Sequence, residues 1–145
     1  MSVLLDTNVL VGAKVPGDAL HQPSVLALER AMKGQWGRPA VSDYIVDEAV
    51  TLARARTRSH QAADDLAAFL LGEPPHEPVF EVIPVDRAAF TLARALFRRY
   101  DDRFLSFTDC TTLALAQHLD LRVLSFDRGF DGLAPRLDPS SLPQP

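Results

Sequence analysis

Short runs rich in apolar residues alternate along the chain with longer stretches in which apolar residues return every three or four positions. Residues 3–5, 39–41, 79–85 and 122–125 are runs of the first kind. A run of that length between polar residues fits a strand of a parallel sheet, buried on both faces. Pro84 places the end of the third run near a sheet edge, because proline offers the ladder no N–H. The helical stretches carry their own punctuation. Residues 8–11 begin a helical turn, and 23–33 carries Val25, Leu26, Leu28 and Met32 up to Gly34. Ser42 caps a helix reaching about Arg56, and Ser59 opens another through Leu66, Phe69 and Leu70 to Gly72. Asp86 caps a long helix with Phe90, Ala93, Leu96, Phe97 and Tyr100 at helical spacing; Ser106 or Thr108 starts the last one, to about His118. Segments 14–22 and 73–78, with their prolines and glycines, read as loops. Strands alternating with helices predict an α/β fold around a parallel sheet. No repeat or internal boundary interrupts the pattern, so residues 1–137 form one domain, and the tail 138–145 is expected to fray.

Four acids sit where these runs end or on the edge of an apolar face. Asp6 ends LLDTN and Asp127 ends VLSFDRGF. In an open parallel sheet, ligands collect outside the carboxyl ends of the strands, so both acids should face that crevice. On a helical wheel of about 100° per residue, Glu48 falls on the flank of the face made by Ile45, Ala49 and Leu52. Asp43 and Asp47 fall on the opposite side and read as solvated. Asp109 lies in the first turn of its helix, where an acid alone would simply complement the helix dipole. Together the four need a cation, since packed like charges repel. Mg²⁺ and Mn²⁺ take oxygen ligands, and four carboxylates without a soft donor disfavour Zn²⁺. Asp131, in a turn-rich segment four residues beyond Asp127, is either an additional ligand or a turn former. Asn8 either caps the helix that follows or holds Asp6 or a water in position. Thr7 and Ser125 read as local hydroxyl bonds.

Composition changes this picture little. The 145 residues are 47% hydrophobic, enough for one core, and the net charge of −4 argues against a protein that coats nucleic acid. Positive charge is nonetheless clustered, at Arg54, Arg56 and Arg58 and again at Arg94, Arg98, Arg99 and Arg103. On the helix after Asp86, the arginines lie away from Phe90 and Phe97 and read as a solvated face. The single cysteine, Cys110, reads as a buried apolar residue. His21, His60, His76 and His118 are scattered and read as surface or loop residues, with His21 nearest the first motif. Trp36 reads as packing a loop onto the core. No apolar stretch is long enough to span a bilayer. The opening MSVLLDTNVL has no basic segment before its first acid, so a cytoplasmic location is expected.

The ordered set LLDTNVLVGA, VSDYIVDEAVTLARART and LSFTDCTTLALAQHLDLRVLSFDRGFDGL resembles the motifs of PIN-domain ribonucleases, most closely the VapC-type toxins of prokaryotic toxin–antitoxin pairs. The resemblance covers nearly the whole chain. It implies a three-layer α/β/α sandwich with a central parallel sheet. It implies Asp6, Glu48, Asp109 and Asp127 as ligands of Mg²⁺ or Mn²⁺, with hydrolysis of RNA leaving a 5′-phosphate and a 3′-hydroxyl. A homodimer and a small antitoxin whose tail covers the acidic groove are implied as partners. A PIN nuclease of RNA processing and a non-catalytic PIN scaffold that binds RNA or protein are the alternatives. A phosphatase or phosphotransfer domain would need a lysine near its acceptor aspartate. The two lysines, Lys14 and Lys33, follow no predicted strand.

Overall fold

A computed structural model describes residues 1–143. Five parallel strands form one sheet: β1 (Ser2–Leu5), β2 (Arg38–Ser42), β3 (Glu81–Ile83), β4 (Arg122–Leu124) and β5 (Arg136–Leu137), in the order β3-β2-β1-β4-β5. The chain therefore winds outwards from β1 in both directions, and the strand order reverses between β1 and β4. Six helices cover the two faces: α1 (Thr7–Lys14), α2 (His21–Met32), α3 (Asp43–Thr57), α4 (His60–Leu71), α5 (Arg87–Arg99) and α6 (Phe107–Leu119). Successive residues of β1 divide the core. Val3 and Leu5 pack with α1 to α4, whereas Leu4 packs with α5 and α6. That is why the strand is apolar at every position: both of its faces are covered. The result is the expected three-layer α/β/α sandwich.

Local chemistry sets the helix ends much as the sequence suggests. Ser42, Ser59, Asp86 and Ser106 each accept a backbone N–H from the first turn of the helix that follows. Gly72 closes α4 in the left-handed conformation expected of a glycine there. Trp36 and Cys110 are buried in the core.

The sheet departs from expectation at its edges. The third run is a strand over Glu81–Ile83 alone, because Pro78 and Pro84 donate nothing to a ladder and Phe80 turns inward against Phe69. β5 was not anticipated. Two residues are too few to show a period, and the strand exists through its pairing with β4. Asp43, read as solvated, is exposed, yet its Oδ1 accepts from Tyr44 N and Val85 N and so fixes the segment after β3. Phe90 and Phe97 flank the buried face of α5 and pack on Phe107 while staying partly open to solvent. In the tail, Pro139–Ser141 forms a 3₁₀ turn capped by Asp138, Pro139 is buried, and Leu142 packs against the core. Residues 144 and 145 of the tail lie outside the described residues. Among the described residues, no helix is long and apolar enough to cross a membrane.

Candidate active site

The reversal of strand order leaves a crevice at the carboxyl ends of β1 and β4, where open α/β sheets bind ligands. A cleft of about 410 Å³ lies there, and Asp6, Glu48, Asp109 and Asp127 all line it. Each acid arrives on a different element. Asp6 ends β1 and caps α1, Glu48 sits on α3, Asp109 is in the first turn of α6, and Asp127 caps a 3₁₀ turn after β4.

Asp6 is buried at 3% exposure. Its Oδ1 accepts from Thr7 N at 2.8 Å and its Oδ2 from the Ser125 hydroxyl at 2.6 Å. Burial pushes its carboxyl up to about 7, with the neighbouring charge of Asp109 as the next cause and Glu48 adding to it. The two hydrogen bonds pull the other way and are outweighed. Asp109 forms a capping box with Ser106: its Oδ2 accepts from Ser106 N at 2.9 Å, and its own N donates to Ser106 Oγ at 3.0 Å. Burial raises its carboxyl to about 6 against that backbone bond, with Asp127 and Glu48 contributing. The carboxylates thus sense one another across the cleft.

Ser125 connects the site. Its hydroxyl donates to Asp6 and accepts from Asp127 N at 2.9 Å and from Asn8 Nδ2 at 3.3 Å. Asn8 lies inside α1, so it does not cap that helix. It also makes no direct bond to Asp6: it reaches Ser125 and accepts from Phe126 N through Oδ1. Ser125, expected to make only a local hydroxyl bond, instead reaches Asp6 and Asn8 on the neighbouring segment. A polar residue closing an apolar run beside an acid was the available signal.

Asp131 stands apart from the cleft. It makes a two-pronged pair with Arg136 on β5, at 2.7 and 3.2 Å, which holds its carboxyl below the usual range. The turn-forming alternative accounts for its position. His21, at the start of α2, bonds Gly12 O through Nδ1 at 2.9 Å. Two further charged residues, Asp18 and Arg56, line the cleft and are joined at 2.5 Å, a pairing the sequence does not signal. Spacing could have found Arg56, since it lies eight residues beyond Glu48, on the same stripe of α3.

Mutually repelling acids with oxygen donors alone are the chemistry that Mg²⁺ or Mn²⁺ takes. Thr7 adds a buried hydroxyl on the cleft wall that has no partner among the described residues. Among the described residues no three acidic, histidine or cysteine groups are drawn together closely enough to hold an ion as they stand. The four carboxylates line one cleft with space between them.

The PIN domain family matches residues 3–134. The chain is 29% identical over 130 residues to a VapC ribonuclease of Archaeoglobus fulgidus, covering 90% of this chain and 80% of that one. Its fold is similar to that of VapC20 of Mycobacterium tuberculosis, described as a Sarcin-Ricin loop cleaving toxin. The TM-score is 0.73 at 22% identity, covering 89% of this chain and 91% of that one. A toxin–antitoxin complex from Klebsiella pneumoniae contains a chain similar to it with a TM-score of 0.65 at 21% identity, covering 94% and 97%.

Proposed function

We propose, from the premise that this chain belongs to the PIN-domain family, that it is a metal-dependent endoribonuclease and the toxin of a toxin–antitoxin pair. The observation that carries the reading is the meeting of four carboxylates from four separate elements in one cleft at the reversal of strand order. Similarity to a VapC ribonuclease supports RNA as the substrate. Similarity to a chain in a toxin–antitoxin complex supports a small antitoxin as the partner, and the motif resemblance further implies a homodimer.

Asp6, Glu48, Asp109 and Asp127 would hold one or two Mg²⁺ or Mn²⁺ ions. When bound, such a cation supplies a water of lowered pKa and neutralises charge building on the phosphate. The chain's own part is placement. Ser125 points one oxygen of Asp6 by donating to it, and Asn8 braces Ser125 from the other side. The Ser106 backbone N–H holds one oxygen of Asp109, and Gly129 N holds Oδ1 of Asp127. Ligands held in this way need little reordering when the cation and phosphate arrive.

The test is cleavage of total cellular RNA by antitoxin-free protein with Mg²⁺ or Mn²⁺. Discrete products that vanish with EDTA and in Asp6→Asn are expected. Intact RNA from folded protein with metal bound would overturn the nuclease reading in favour of a binding scaffold.

A further inference from the structure

We propose that Arg56 anchors a backbone phosphate of the substrate strand, beside the one attacked among the carboxylates. The proposal deepens the ribonuclease reading and rests on it. Five acids line the cleft, Asp18 among them, and among the described lining residues Arg56 is the one cation. A polyanion entering there meets repulsion everywhere except at the bound metal and at this guanidinium.

The position suits the task. Glu48, Leu52 and Arg56 fall at successive turns of one stripe of α3, so Arg56 stands about 12 Å along the helix axis from Glu48. Its head is held still. Arg56 Nη1 donates to Asp18 Oδ2 at 2.5 Å, and Asp18 is itself fixed by Leu20 N donating to its Oδ1 at 2.8 Å. Asp18 is nearly covered, at 12% side-chain exposure, whereas the Arg56 side chain is 48% exposed. The pair uses one of five guanidinium N–H groups and leaves the rest for a ligand. Arginine offers parallel N–H groups that match two phosphate oxygens, and pre-placement lowers the entropic cost of binding. The rival account is an ordinary ion pair tying α3 to the loop before α2, which would contribute little to stability and nothing to RNA.

Counting released counterions separates the two. Anisotropy of a short fluorescein-labelled single-stranded RNA of mixed sequence would be followed over a salt series. Asp6→Asn protein is the parent, so that the strand stays intact. Each phosphate contact on a single strand contributes about 0.7 to the slope of log affinity against log salt. Adding Arg56→Gln should weaken binding roughly tenfold, as for a lost hydrogen bond to a charged group, and lower the slope by about 0.7. Arg56→Lys should keep the slope, and so should Asp18→Asn, which removes the pair but keeps the cation. With Asp6 intact, Arg56→Gln should raise KM and spare kcat. An unchanged slope in Arg56→Gln, with equal losses of Tm in Arg56→Gln and Asp18→Asn, would reduce Arg56 to a structural ion pair while the nuclease reading stands. A parent that binds no RNA, together with protein of unaltered Asp6 that cleaves none, would bring down that reading and the proposal with it.

Discussion

The Ser125 hydroxyl donates one hydrogen bond and accepts two, which is all a serine can do. Replacing it with alanine strands an oxygen of buried Asp6, the amide of Asn8 and the backbone N of Asp127 together. Ser125→Ala should cost about 1–3 kcal/mol of stability from the groups left unpaired. It should also lower RNA cleavage roughly 10- to 100-fold, as loss of a group supporting metal ligands does. Full activity in that variant would show that Asp6 and Asp127 are placed by other means. The acids themselves carry a pH dependence. Asp6 and Asp109 bind protons up to about 7 and about 6 when folded, against 3.8 ordinarily. Between those values the folded chain holds more protons than the unfolded one, so stability falls as pH rises. The cost of burying the two charges starts near 3.8 and is complete above about 7. Thermal melts in EDTA should therefore give a Tm that declines over this window. Asp6→Asn should flatten the decline, and a rising Tm would contradict the assignment.

Elements here double as ligand holders. The first turn of α6 is capped by the same carboxylate that lines the cleft, so cap and candidate ligand are one residue, Asp109. Ser106→Ala should remove about 1 kcal/mol of helix stability by leaving Asp109 N uncapped, while the backbone N–H at 106 still holds the Asp109 carboxylate, so thermal melts should fall and RNA cleavage should largely persist. The 3₁₀ turn Arg128–Phe130 has a different constraint. A Cβ on Gly129 would stand 2.8 Å from Leu105 Cδ2 and 3.0 Å from Asp127 Oδ1. The leucine tip can swing aside, but Asp127 Oδ1 is bonded to Gly129 N and has less room to yield. Gly129→Ala should thus cost about 1–3 kcal/mol, as overpacking does, and reduce activity through Asp127. Cleavage at the parental rate would mean that the turn relaxes without moving its acid. Arg136 locks the far side of this turn by pairing with Asp131 and donating to Ser125 O at 3.0 Å.

At the scale of the whole molecule, the fold gathers repelling charges at the reversal of strand order, so a cation should stabilise the chain overall. At about a hundred times its Kd, Mg²⁺ should add about 2.7 kcal/mol to the free energy of unfolding. Melts with Mg²⁺ and with EDTA would read this as a higher Tm with the ion. The gain should shrink in Asp109→Asn. An unchanged Tm over a wide range of Mg²⁺ and Mn²⁺ would argue against a metal centre.

Local rules in the chain determined the caps at Ser42, Ser59, Asp86 and Ser106, the buried runs of β1, β2 and β4, and the identity of the four acids lining the cleft. Each depends on neighbours within a few positions, where side-chain chemistry and period suffice. The motif resemblance supplied the three-layer arrangement in advance. Strand order and the two-residue β5 had no such local signature, because pairing partners depend on how the sheet is wound. The same holds for Ser125. Its hydroxyl looked local until β1 and β4 lay side by side and brought Asp6 to it across 119 positions of sequence. Arg56 met Asp18 at the cleft only once α3 packed beside α1 and the loop that follows it. Residue types set which chemistry is available; the parallel pairing of β1 with β4 decided which of those residues share a cleft.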